Sequence, residues 1–306
     1  MSKGSEKYHA NAKFLLTAEY LVMAGADALV MPINKEQELW LEESSNSLLK
    51  WESYFNQDLW FEAVFHPDDF RVMSSTDIKK ANYVSGLLKS ALKLTKNRPR
   101  LHHSVIKTDL QFNPDWGMGS SSTLIVNLSH LFDINAFDLH KSVSNGSGFD
   151  IAAGMSGFPF RYRLKRNKRE ISPIILPDLF YEHAYFVYLG KKVSSDQAIE
   201  SFNPSDPTWK MPVKYINEIT AQFSEVDSFE ELSRITAEHE MFMSEVLGMA
   251  SPVKRFADYP YGMKSLGAWG GDFIMVMHPR NKKEVEKYFH HKGCPVVFSA
   301  KELKIN

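Results

Sequence analysis

Pro114-Asp115-Trp116-Gly117-Met118-Gly119-Ser120-Ser121-Ser122-Thr123 runs straight into an apolar pattern at helical spacing, with Leu124, Ile125, Leu128, Leu131 and Phe132 on one stripe. Gly117 and Gly119 permit positive φ and a close approach of backbone to ligand. A helix that starts near Gly119 presents unpaired N–H groups and roughly half a positive charge. Together these make an anion site suited to polyphosphate, and the serine hydroxyls can reach a Mg²⁺ that bridges phosphate oxygens. The competing reading is that Ser120, Ser121 and Ser122 are only a helix N-cap cluster. The stretch is not a Walker A loop, because no Gly-Lys-Ser/Thr follows at the right spacing. It is not a dinucleotide fingerprint, because the third glycine is absent.

Upstream of this loop the chain reads as a meander of strands. Lys13–Leu16, Ala28–Ile33 and Glu38–Glu42 are short apolar or alternating runs punctuated by Gly25 and Asn34. Leu48–Phe55 and Leu59–Phe65 continue them across the turn residues Asn56-Gln57-Asp58. Thr76–Leu94 has helical spacing, Ser104–Phe112 alternates, and Asp138–Val143 is a short helix. Downstream, Tyr185–Leu189 and Phe273–Met277 read as strands, and Met211–Phe223 and Phe229–Leu247 as helices. A further helix follows Pro279 and ends near Gly293, before a last strand at Val296–Phe298. The turn-rich Ser172–Asp178 is the expected boundary between domains 1–172 and 173–306, both of α+β class.

The bulk numbers are those of a globular enzyme-sized chain. Its 306 residues exceed one compact core, and 43% hydrophobic with 24% charged residues is ordinary. A formal net charge of −1 gives no field to draw in nucleic acid or an anionic membrane. The one cysteine, Cys294, forms no internal disulfide and no thiolate metal site alone. The most apolar stretch, residues 14–33, is interrupted by Glu19 and Asp27, and the first nine residues have no apolar signal core. A cytoplasmic protein is the expectation, with a small-molecule acceptor as partner. Neither nucleic acid nor membrane is expected, and a homodimer is left open.

Three further blocks accompany the loop. Ala10-Asn11-Ala12-Lys13-Phe14-Leu15-Leu16-Thr17-Ala18-Glu19-Tyr20 precedes it. Ser144-Asn145-Gly146-Ser147-Gly148-Phe149-Asp150-Ile151-Ala152-Ala153 follows it. Gly262-Met263-Lys264-Ser265-Leu266-Gly267-Ala268-Trp269-Gly270-Gly271-Asp272 lies near the C-terminus. In this order the four blocks resemble those of the GHMP kinases, which include galactokinases, homoserine kinases, mevalonate kinases and phosphomevalonate kinases. The Ser144 block is most similar to the Gly-Ser-Gly-Phe-Asp segment of phosphomevalonate kinases.

The resemblance implies a two-domain GHMP kinase fold. Its N-terminal domain would be ribosomal-protein-S5-like and its C-terminal domain ferredoxin-like, with ATP and acceptor meeting between them. It implies ATP and Mg²⁺ as cofactors. Lys13 matches the lysine near the transferred phosphoryl group, and Asp150 the acid that orients or deprotonates the acceptor. Pro114, Gly117, Met118, Gly119, Ser120, Ser121 and Ser122 match the nucleotide loop, with Ser120 or Ser121 as Mg²⁺ ligand. Gly267, Ala268, Gly270 and Gly271 match a second glycine loop. Glu19, which supports Lys13 in this reading, is assigned with Tyr20, Ser147, Gly148 and Lys264 to the acceptor side.

The chain departs from the family pattern where glycines are replaced, at Ala12, Ala18 and Trp269. It also lacks the metal-binding glutamate expected about ten residues before Asp150, where only Asp138 is near. The reaction implied is transfer of the γ-phosphoryl of Mg·ATP to phosphomevalonate or a related mevalonate-pathway intermediate. Mevalonate or a sugar is the alternative acceptor. The alternative of another class is a degenerate relative that binds nucleotide or a partner. Other signals are discounted. His239-Glu240 lacks the second histidine of a zinc protease motif, and His102-His103 and His290-His291 read as surface residues. The basic run from Arg161 to Arg169 reads as a solvated hairpin face, with attraction of an anionic, already phosphorylated substrate as the alternative, since Arg161-Tyr162-Arg163 resembles a basic stretch that follows the aspartate segment in phosphomevalonate kinases.

Overall fold

The computed structural model describes residues 7–166, 168–190, 202–267 and 272–305. The chain divides into two compact units. One is built from Met1–Ala12, Lys35–Pro114 and Met118–Met155, the other from Lys13–Asn34, Asp115–Gly117 and Ser156–Asn306. Two strands run through both, β1 (Lys7–Leu15) and β2 (Ala28–Glu43). β2 is one strand of 16 residues where the sequence pattern suggests two. Its first part pairs with β7 (Phe160–Lys165), its last part with β6 (Ser104–Leu110), and β1 pairs with it as well, so it is a ladder strand on both sides of Asn34. Ser172–Asp178 lies inside the second unit, joining β8 (Lys168–Pro173) to the short helix α5 (Asp178–His183).

In the first unit, β5 (Val72–Ser75), β4 (Asp58–Phe65), β3 (Leu49–Phe55), β6 and β2 lie side by side in that order. The β3–β6 pair is parallel and its neighbours are antiparallel. The β3–β4 hairpin turns on Asn56 and Gln57, both at positive φ (48° and 71°), as a two-residue turn matching the strand twist requires. Alternation sends Leu49, Trp51, Phe61, Ala63, Phe65 and Ile106 to one face, where they meet the apolar stripes of α1 (Ile78–Leu94) and α2 (Ser120–Leu131). α1 starts two residues later than its periodicity suggests. Asp77 is its N-cap, accepting from the N–H groups of Lys79 and Lys80, while the Thr76 hydroxyl is held by the backbone of Glu62. α3 (Ala136–Val143) and α4 (Phe149–Gly154) complete the layer.

The second unit holds a four-stranded antiparallel sheet in the order β10 (Met263–Leu266), β11 (Phe273–Met277), β9 (Ala184–Tyr188), β12 (Val297–Ser299). Helices α6 (Lys210–Glu225) and α7 (Phe229–Leu247) lie between β9 and β10 in sequence, and α8 (Lys282–His291) between β11 and β12. This is the ferredoxin-like path expected from the sequence. A final short helix, α9 (Ala300–Leu303), follows β12. β7 and β8 form the basic hairpin, with Arg161, Lys165, Arg166 and Lys168 exposed and Arg163 paired to Asp27 at 2.5 Å. No helix among the described residues is long and apolar enough to cross a membrane.

Aromatic packing fixes the parts of the second unit that matter below. The Phe14 ring stacks on Phe186 at 4.3 Å and meets Phe273 edge-on at 5.2 Å. Trp116 stands edge-on to Phe298 at 5.3 Å and to Phe273 at 6.3 Å. Ring pairs of this kind contribute about 0.5–1.5 kcal/mol each beyond their buried area. They hold Lys13 and Gly117, the immediate neighbours of Phe14 and Trp116, on the sheet.

Candidate active site

In the first unit the loop leads into α2 through Gly119, which is the N-cap at φ 103°, a left-handed value natural to glycine. Thr123 N–H bonds back to the Gly119 carbonyl at 2.9 Å. The N–H groups of Ser120, Ser121 and Ser122 have no acceptor among the described residues. A helix of 12 residues thus opens with three donors pointing past its end, which is what a phosphate group needs.

The four consecutive hydroxyls divide. Ser122 Oγ donates to the Gly119 carbonyl at 2.9 Å. Thr123 Oγ1 lies 2.8 Å from Gln37 Oε1 and 3.0 Å from the same carbonyl. Ser121 Oγ pairs with the phenol of Tyr83 on α1. Ser120 Oγ has no partner among the described residues, so it is open to a cation. Met118 is buried behind the loop and Pro114 half-buried at its start.

Asp150 sits in the first turn of α4, half-buried, with Oδ1 accepting from Ile151 N–H at 3.0 Å. Gly148, at φ 84°, caps that helix, and Ser147 before it is buried. Asp138, the remaining carboxylate in this stretch of sequence, is exposed in the first turn of α3.

In the second unit Lys13 Nζ donates to the Gly117 carbonyl at 3.2 Å, with the side chain largely buried. Gly117 has φ 65°, and a Cβ there would lie 2.1 Å from Asp272 Oδ2. Gly117 thus gives its carbonyl to the Lys13 ammonium and leaves the space of its missing side chain to the Asp272 carboxylate. Gly267 is also left-handed, at φ 68°, but none of the described residues lies within 4 Å of where its Cβ would be. Ala268, Gly270, Gly271 and the unusual Trp269 lie outside the described residues.

Glu19 and Lys264, both assigned to the acceptor side from sequence, meet each other in a buried polar cluster. Lys264 Nζ is bonded to Glu19 Oε1 and donates to the Ser265 carbonyl at 2.6 Å. The two side chains are 0% and 1% exposed. Glu19 is thus bound to Lys264 rather than to Lys13, whose bond to the loop is with Gly117. Ala18 and Tyr20 flank Glu19 at φ 63° and 61°, conformations that turn the carboxylate inward. Tyr20 itself is half-buried, its ring 6.1 Å from Phe202.

Two residues of α7 complete the cluster. His239 Nε2 accepts the Ala18 N–H at 3.1 Å, so the ring is the Nδ1–H tautomer. Glu240 accepts from the Ser265 N–H at 2.7 Å and hydroxyl at 2.8 Å, and from the Ser251 hydroxyl at 2.5 Å. Burial pushes the His239 imidazolium well below its ordinary range, aided by the Lys264 charge. Burial likewise raises the Glu19 carboxyl, against the opposing pull of Lys264. The dipeptide discounted as a zinc motif is therefore structural. It clamps the turn after β1 and strand β10, which carry Glu19 and Lys264. Among the described residues no group of His, Cys, Asp and Glu could hold a metal ion.

Sequence reasoning missed Tyr83, Glu240, Ser251 and Asp272 as parts of these arrangements. Asp272 was visible as the end of a motif, and its role appears only where Gly117 lies against it. Glu240 was visible only as part of the discounted zinc motif, and Tyr83 carries no local signal, since it is an ordinary residue on a helix.

No protein-family model and no curated protein sequence matches the chain. Solved structures do match it over nearly its full length. The mevalonate kinase of L. major in complex with R-mevalonate has a TM-score of 0.68 at 17% identity, covering 97% of this chain and 96% of that one. The phosphomevalonate kinase of Streptococcus pneumoniae with phosphomevalonate and AMPPNP has a TM-score of 0.68 at 13% identity, covering 96% and 99%. The galactokinase of Lactococcus lactis with galactose has a TM-score of 0.65 at 13% identity, covering 99% and 94%. The chain has the fold of the GHMP kinases.

Proposed function

We propose that this chain is a small-molecule kinase that transfers the γ-phosphoryl group of Mg·ATP to an oxygen of a small acceptor, phosphomevalonate or a related mevalonate-pathway intermediate. The observation that carries the reading is the head of α2, where three N–H groups and the Ser120 hydroxyl have no acceptor among the described residues, behind a left-handed Gly119, in a chain with a kinase fold. Such donors fit a polyphosphate. The donor set at Ser120 and Ser121, hydroxyl oxygens beside a phosphate site, fits a hard cation. Bound Mg²⁺ supplies charge neutralisation on the phosphate oxygens.

The chain's own residues take the remaining roles. Positioning and electrostatics dominate phosphoryl transfer. The ammonium of Lys13 would balance charge on the transferred group. Asp150 would orient the acceptor and take its proton, a contribution of about 10²–10⁴-fold. The phosphomevalonate assignment rests on the likeness of the Gly146–Ala153 segment and of Arg161-Tyr162-Arg163 to those enzymes, and on a neighbour solved with that acceptor.

The test is ADP release from Mg·ATP against phosphomevalonate, mevalonate, homoserine, galactose and other sugars, with Asp150→Asn and Lys13→Met as controls. Turnover with one acceptor, lost in both variants, supports the kinase and names its substrate. ATP binding without turnover on any acceptor favours the degenerate, nucleotide-binding relative, in keeping with the exposed position of Asp138 and the absence of a second carboxylate in that stretch. No ATP binding overturns the phosphate-loop reading.

A further inference from the structure

The phosphate loop has a neighbour that the motif does not contain. Tyr83 projects from α1, 42% exposed, and its phenol oxygen is bonded to Ser121 Oγ. A phenol is a much stronger acid than an aliphatic hydroxyl, so the tyrosine is the natural donor and the serine oxygen the acceptor. That bond occupies one lone pair of Ser121 and directs the serine's own proton away from Tyr83. The hydroxyls of Ser122 and Thr123 are turned back to the Gly119 carbonyl, and the Ser120 hydroxyl has no partner among the described residues.

We propose that Tyr83 is a positioning residue for the nucleotide: it holds Ser121 as a hydrogen-bond donor to a phosphate oxygen and leaves Ser120 as the hydroxyl that meets the cation. This rests on the reading of Gly117–Ser122 as a working phosphate loop. The two serines, equivalent in the motif, then have different tasks, and the residue that separates them lies on another helix. α1 and α2 pack together in the same core, so the Tyr83–Ser121 bond needs no rearrangement to form.

The test is calorimetric binding of ATP to the full chain in EDTA and then in MgCl₂, with Tyr83→Phe, Ser121→Ala, Ser120→Ala and the Tyr83→Phe/Ser121→Ala double variant. Thermal melting of each confirms folding. A neutral hydrogen bond is worth about 0.5–1.5 kcal/mol, so Tyr83→Phe and Ser121→Ala are each expected to weaken metal-free ATP binding about three- to tenfold. The double variant is expected to be no weaker than Ser121→Ala alone, because the two residues act as one unit. Ser120→Ala is expected to lose most of the gain that MgCl₂ gives the wild type. Additive effects of the two substitutions, or a Tyr83→Phe variant that binds like wild type, overturn the inference and leave the kinase reading standing. Equal loss of the MgCl₂ gain in Ser120→Ala and Ser121→Ala also overturns it. Failure of the wild type to bind ATP under either condition overturns the phosphate-loop reading and this inference with it.

Discussion

Lys264 and Glu19 form an ion pair closed to solvent on both sides, between β10 and the turn after β1. Breaking a buried pair by removing one partner leaves an uncompensated charge and costs about 3–5 kcal/mol. Lys264→Met is therefore expected to lower unfolding free energy by that amount in urea. Replacing both partners with apolar residues of similar volume, Lys264→Met with Glu19→Leu, is expected to recover a large part of the loss. A double variant as unstable as the sum of the singles would mean that the pair does not act as a unit.

Ala18 and Ala12 both stand where the GHMP pattern has glycine, but the backbone treats them differently. Ala18 has φ 63°, a region that costs a non-glycine residue about 1–2 kcal/mol. Ala12 is ordinary strand inside β1, and both methyl groups are fully buried. Ala18→Gly relieves strain while losing a methyl worth about 0.8 kcal/mol and adding chain entropy, so it is expected to be near neutral. Ala12→Gly has only the losses and is expected to cost about 1–2 kcal/mol. Denaturation midpoints of the two variants check this. Equal effects would contradict the left-handed geometry at residue 18.

Gly117 and Gly267 offer the same contrast from the other side. Both are left-handed, but among the described residues only Gly117 has a neighbour where its Cβ would be, the Asp272 carboxylate at 2.1 Å. Gly267→Ala is expected to cost about 1–2 kcal/mol, the conformational penalty alone. Gly117→Ala adds an overlap that Asp272 must move to relieve, so its cost is expected to exceed that of Gly267→Ala by at least about 1 kcal/mol. Gly117→Ala in an Asp272→Ala background should lose that excess. The readout is chemical denaturation of the three variants.

The parts of this molecule that were legible in the sequence are those whose cause is local. The glycines and hydroxyls at the head of α2, the stripe behind them and the strand pair around Asn56-Gln57 all follow from spacing and turn chemistry. The ordered blocks carried the fold, which composition alone would have left at α+β. What stayed hidden depends on contacts between residues far apart in sequence. Trp116 stands in the loop motif without a role until Phe273 and Phe298 are seen against it. Glu240 reads as half of a failed metal motif until Ser251 and Ser265 are found on its carboxylate. β2 reads as two strands because Asn34 looks like a break, and its pairing with β1, β6 and β7 appears only in the fold.

His239 gives the cluster a pH dependence with a definite sign. Its imidazole is buried, neutral and bonded through Nε2 to Ala18 N–H, and burial holds its folded value far below the ordinary 6.5. In acid the unfolded chain takes up a proton here that the folded chain refuses. This contribution to stability is complete above about pH 6.5 and is lost as the pH falls, at up to about 1.4 kcal/mol per pH unit. Glu19 beside it acts in the opposite sense. Its folded carboxyl is raised above the ordinary 4.5 by burial, so its contribution is present below that pH and is lost as the pH rises through the folded value. The net slope of the wild type mixes the two, and Lys264 and Glu240 also face the cluster. His239→Gln separates them, because an amide oxygen can still accept the Ala18 N–H but has no proton to gain. Urea denaturation at pH 7, 6 and 5 is expected to show wild-type stability falling more steeply toward acid than that of the variant. Identical slopes in the two proteins would mean that His239 is protonated or solvated in the folded state, and that the clamp of α7 on Ala18 is not the bond described.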